Sequence, residues 1–91
     1  MSDTAEKIHQ TLRQKFSPTY LEVFDDSAMH AGHAGASEHG GGHFRVVIQA
    51  AAFRGLPRLT RHRMVMEALK EGFQHRIHAL SLRAEAPEEQ R

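Results

Sequence analysis

The sequence predicts an α+β fold: a two-layer domain in the order α-β-β-α-β, with a three-stranded mixed sheet covered by both helices on one face. Three observations predict it. Two stretches carry apolar residues at helical spacing, and three short stretches alternate apolar with polar residues. The 91 residues, 40% hydrophobic and 25% charged, are enough for one modest core and too few for two.

The first helix spans residues 3–16. Asp3 followed by Glu6 has the form of a capping box, and Ala5, Ile8, Leu12 and Phe16 fall on one face before Pro18 ends the run. "YLEVFDD", residues 20–26, alternates as a strand. "HFRVVIQ", residues 43–49, does so more clearly, with Phe44, Val46 and Ile48 on one side and His43, Arg45, Val47 and Gln49 on the other. Between them, residues 27–42 have no periodicity and read as a flexible loop rich in Gly and His. "AAAFRGLP" is a connection with room for one helical turn. A second helix is placed at 57–71, with Pro57 in its first turn and Gly72 at its C-terminal end. "IHALSLRA", residues 77–84, is the third strand, and 87–91 read as a frayed tail. Strands one and two pair antiparallel through the glycine loop. The second helix is then a right-handed crossover that sets strand three parallel to strand two. The whole chain, 1–91, reads as one domain.

Composition removes several function classes. With no cysteine, the chain has no disulfide, no thiol nucleophile and no thiolates for a cluster or structural zinc of its own. A formal charge of +1 makes no global case for nucleic acid or an anionic membrane. No apolar run approaches the roughly 18 residues of a membrane span, and "MSDTAEKIHQ" lacks a secretory leader, so a cytoplasmic location and no membrane partner are expected. "GGG" at 40–42 is not followed by Lys-Ser/Thr, and "RGLPR" is not the GXXG clamp of a typical KH domain. Asp25-Asp26 and Glu88-Glu89 are adjacent pairs on a strand and in a tail, so neither forms an acid/base dyad. No enzyme activity is expected.

The second helix carries "RLTRHRMVMEALKEG". With Arg58 at zero and about 100° per residue, Leu59, Val65, Met66, Leu69 and Phe73 fall in an arc from about 340° to 100°. His62 falls near the middle of that arc, so it is expected to face the core and hydrogen-bond a backbone group. Arg61 and Arg63 lie on opposite flanks at about 300° and 140°, so the tripeptide is not one basic face. The arginines are either solvated charges or separate phosphate contacts.

Histidine remains. "HAGHAGASEHGGGHF", residues 30–44, holds four of the chain's eight histidines, and His78 opens the third strand. Neutral imidazole binds iron, zinc, copper or nickel, and two imidazoles can replace two thiolates on one iron of a 2Fe–2S cluster. By itself a histidine-rich loop is a weak signal.

Taken together, "HFRVVI", "AFRGLPRLTRHRMVMEALKE" and "IHALSLRA" resemble the BolA family over nearly the whole chain, marked by Phe53, Gly55, Arg61, His62, Arg63 and the "HAL" at 78–80. The resemblance implies the family's αββαβ fold, akin to the second class of KH domains. It also implies a small non-enzymatic partner of monothiol glutaredoxins, active in iron–sulfur trafficking or iron/redox sensing. In such a heterodimer the glutaredoxin cysteine and a glutathione thiolate hold one side of a bridging 2Fe–2S cluster. The BolA-like chain holds the other through its strand-three histidine, here His78, and a loop residue, here His30 or, three residues on, His33. His43 matches a family position and is read as orienting or structural. The apo chain is expected to be a monomer or weak homodimer. The alternative implied by the family is a DNA-binding transcriptional regulator in stress response and cell morphology. Its phosphate contacts would be Arg58, Arg61 and Arg63, joined by Arg54 and Arg45.

Overall fold

The computed structural model describes residues 3–26, 42–70, 73 and 77–89, and of Asp3, His78 and Glu89 the backbone alone. Helix α1 runs Asp3–Phe16 and buries Ala5, Ile8 and Leu12, the spacing that keeps side chains on one face. Asp3 is already the first helical residue, where the capping-box reading made it the cap. Arg13 and Lys15 complement the dipole in the last turn. Ser17, at φ 46°, closes the helix by donating its N–H to the Arg13 carbonyl at 3.1 Å.

Strands β1 (Tyr20–Asp25), β2 (Gly42–Gln49) and β3 (Ile77–Glu85) form one sheet in the order β1-β2-β3. β1 pairs with β2 antiparallel and β2 with β3 parallel, as the crossover reading requires. Phe44, Val46 and Ile48 are buried at the centre, flanked in register by Leu21 and Val23 on β1 and by Leu80, Leu82 and Ala84 on β3. A 3-10 turn at Ala51–Phe53 leaves β2 and buries Phe53, whose ring lies 5.2 Å from that of Phe16. Gly55, at φ 76°, then turns the chain in the left-handed region that side chains other than glycine rarely adopt.

Helix α2 spans Arg58–Ala68, shorter at both ends than the 57–71 expected. Pro57, with ψ 157°, is extended and precedes the first helical residue, and Leu69 already caps the other end, while Gly72 lies outside the described residues. The face that α2 turns inward also differs from expectation. Val65 and Leu69 are buried with Arg61, whereas Leu59 is 58% and Met66 39% exposed and His62 is only half-buried. The helix is therefore rotated by about 60–80° from the orientation its apolar residues suggest. Two carbonyls explain the rotation. The Arg61 Nε donates to Leu56 O at 2.9 Å and its Nη1 to Ala84 O at 3.0 Å, so the aliphatic stem packs inward while the charge is satisfied.

The tail also departs from a simple frayed end. Ala86 is buried, Pro87–Glu89 form a 3-10 turn, and Glu88 accepts two hydrogen bonds from Arg54, one of them from Nη2 at 3.0 Å.

Candidate functional site

The parallel pairing of β2 and β3 brings both strand starts to one end of the sheet. Gly42 is opposite Ile77, and the next registered pair is His43 with Ala79. β3 therefore uses two steps where β2 uses one, and the backbone of His78 occupies that irregularity. Bulges of this kind break the alternation of a strand locally and re-aim a residue. Antiparallel pairing returns the end of β1 to the same place, where the Asp26 N–H donates to His43 O at 2.8 Å. Asp26 and Gly42 are the two roots of the segment 27–41. Gly42 and Ile77 stand on neighbouring strands, which run about 4.8 Å apart. The fold thus sets the start of β3 beside Gly42, one root of the stretch of sequence that carries His30 and His33.

Those two histidines lie outside the described residues, and of His78 the backbone position is what the structure supplies. Among the described residues no three His, Cys, Asp or Glu side chains are grouped so as to hold a metal ion. His43 is half-buried at the root, with its carbonyl engaged by Asp26. The root is further tied by Arg45, whose Nε donates to Asp26 Oδ2 at 3.2 Å while its guanidinium lies 4.2 Å from the Phe24 ring centre. The donor chemistry fits a 2Fe–2S group in one respect. Histidine imidazoles are the available ligands of a cysteine-free chain, and two of them suit one iron.

The five candidate phosphate-binding arginines separate into three environments. Arg61 is 9% exposed and held by backbone carbonyls, so its guanidinium is withdrawn from the surface. Arg45 is engaged by Asp26 and Phe24. Arg54 is engaged by Glu88, whose carboxylate holds the guanidinium pKa above its usual value. Arg58 and Arg63 are exposed and have no ion-pair partner among the described residues. His62 sits at the margin of the buried face rather than at its centre. Counting apolar residues missed the exposed Leu59 and Met66; the signal that would have found them is the turn at Gly55-Leu56-Pro57, which offers an arginine one helical turn later a free carbonyl. Among the described residues no helix is long and apolar enough to cross a membrane.

Comparison with known proteins places this geometry. The sequence model described as BolA-like protein matches residues 12–89. "BolA-like protein 1" of Mus musculus is 40% identical over 80 residues, covering 88% of this chain and 56% of the mouse protein, so the chain spans about half of that relative's length. The "DNA-binding transcriptional regulator BolA" of Escherichia coli is 40% identical over 77 residues, covering 85% of this chain and 70% of that protein. The solved BolA domain of SufE1 from Arabidopsis thaliana superposes with a TM-score of 0.84 at 33% identity, covering 99% of both chains. On the matched motifs, the αββαβ order and the mixed sheet, the chain belongs to the BolA-like family.

Proposed function

We propose that this chain is a non-enzymatic partner of a monothiol glutaredoxin and supplies histidines to one side of a bridging 2Fe–2S cluster. The observation that supports this reading is the convergence at one sheet end: β3 opens with His78 beside the root of the segment bearing His30 and His33. A chain without cysteine needs the remaining thiolates from outside, and a glutaredoxin cysteine with glutathione supplies them. When bound, the cluster gives the heterodimer a one-electron redox centre. His78 is the ligand from the sheet, His30 or His33 the ligand from the loop, and His43, with Arg45 and Asp26, fixes the loop roots.

Co-expression with a monothiol glutaredoxin, followed by absorption and EPR spectroscopy of the purified pair, tests the reading. His78→Ala is expected to strip the cluster, and one of His30→Ala and His33→Ala to do the same. A normal 2Fe–2S spectrum in His78→Ala rejects it.

A second reading, a DNA-binding regulator, is favoured by the name of the E. coli relative and by the exposure of Arg58 and Arg63. It has a quantitative signature. Five phosphate contacts would lower log affinity by about 4.5 per log unit of salt and two by about 1.8, at about 0.9 each. The environments of Arg45, Arg54 and Arg61 favour the smaller slope, and a flat slope would reject DNA binding altogether.

A further inference from the structure

The geometry points to the outward face of α2 as a docking surface for an acidic amphipathic helix of a partner protein. Leu59 and Met66 are two of the three large hydrophobic residues exposed on the described surface, and both lie on this helix. Seven residues apart, they share one face at a separation of about 10 Å. With His62 and Arg63 between them they repeat the i, i+3/i+4, i+7 spacing by which one helix packs on another. The protein's own fold does not use them, because α2 meets the core through Arg61, Val65 and Leu69.

Charge selects the occupant. Arg58, Arg63 and Lys70 are exposed around the apolar pair, against one exposed carboxylate on the helix, Glu67, which lines the groove toward α1 together with Lys70. The strip is therefore an apolar centre with a cationic rim. A second copy of the same face would set these cations against each other. A nucleic acid would answer the cations but leave Leu59 and Met66 against phosphate and water. A helix carrying leucine-like anchors flanked by carboxylates satisfies both, with carboxylates reaching the guanidinium of Arg63 and Arg58. None of the residues that form the strip is a candidate cluster ligand.

The test uses the full chain without cluster and three probes. One is a fluorescein-labelled helical peptide of about 18 residues with Leu at i, i+4 and i+7 and Glu on both flanks. The others are the same peptide with Lys for Glu, and a duplex DNA of about 20 base pairs. At about 0.15 M salt the acidic peptide is expected to shift backbone amide resonances across 58–70, and Leu59→Glu or Met66→Glu to weaken it about tenfold or more with unchanged thermal midpoints. The Lys peptide is expected to bind at least about tenfold more weakly. Absence of acidic-peptide binding, shifts located elsewhere, or affinity unaffected by both substitutions would overturn the proposal. Duplex DNA binding more tightly than the acidic peptide, insensitive to Leu59→Ser and lost in Arg63→Glu, would assign the face to nucleic acid instead.

Discussion

Replacing Arg61 with alanine isolates the feature that orients α2. Its guanidinium donates at 2.9 Å to Leu56 O and at 3.0 Å to Ala84 O, joining the turn before the helix to the end of β3, where Ala84 lies 23 residues beyond Arg61 in sequence. A hydrogen bond from a charged donor contributes about 1.5–3 kcal/mol net, so the lower limit for two such bonds is about 3 kcal/mol. Against a typical stability of about 5–15 kcal/mol, that is a large share. At about 4–8 °C per kcal/mol for a domain of this size, the thermal midpoint should fall by about 12–24 °C. Circular dichroism during heating and urea titration measures both, and an unchanged urea slope would show that the effect is on stability alone. Arg61→Lys keeps the charge but not the two-pronged fork, so it should recover about half of the loss. Arg63→Ala, on the exposed side of the same helix, should stay within about 0.5 kcal/mol of the parent. If Arg61→Ala costs less than about 1 kcal/mol, indistinguishable from Arg63→Ala, the buried-fork account is refuted.

Three other outcomes follow from the same structure. A Cβ on Gly55 meets no atom within 4 Å, so Gly55→Ala costs only the strain of φ 76°, about 1–2 kcal/mol by urea denaturation; a neutral result would refute a left-handed turn there. Tyr20, the chain's single tyrosine, donates its hydroxyl to the Glu22 carboxylate and should ionise above 10.0, with Glu22→Gln returning it toward that value in an alkaline absorbance titration. The folded state then holds this proton more tightly than the unfolded chain. The contribution to stability is complete below the unfolded pKa and is lost as pH rises through the folded one; a phenol titrating normally would contradict the contact. Finally, His78 and the Arg61 acceptor Ala84 stand six steps apart on β3, about 20 Å. The stability changes of His78→Ala and Arg61→Ala should therefore add within about 0.5 kcal/mol, and a larger coupling would mean that the two ends of β3 are not independent.

Much of this architecture was readable from periodicity. The helix at 3–16, the strand alternation of β2 and the crossover rule together specified a mixed three-stranded sheet with antiparallel β1, and that sheet is observed. The rotation of α2 was not readable in the same way. Periodicity counts side-chain polarity, and Arg61 counts as polar although its stem is apolar and its acceptors are carbonyls supplied by Leu56 and Ala84. The ordered turn after Ala86 depended likewise on a partner invisible locally, since Arg54 and Glu88 are 34 residues apart. At the candidate metal site, the position of His78 at a strand start was foreseeable, but the skipped register step at that residue was not. A bulge is a property of two strands together, and β2 and β3 are joined only through the whole crossover.

The run Arg61-His62-Arg63 shows why a basic tripeptide on a helix is a poor unit of function. Successive residues turn by about 100°, so three neighbours sample nearly a full revolution. Arg61 is fixed inside by carbonyls, His62 stands at the margin, and Arg63 projects into solvent. A substitution at each should then report a different quantity: stability at Arg61, little at His62, and partner affinity at Arg63. The inward commitment of Arg61 has a second effect on the same helix. By occupying the core-facing arc it rotates Leu59 and Met66 outward, so one interaction both ties α2 to β3 and creates the apolar strip that Arg58 and Arg63 border. Loss of the fork should therefore weaken docking at that strip even though Arg61 itself is withdrawn from it.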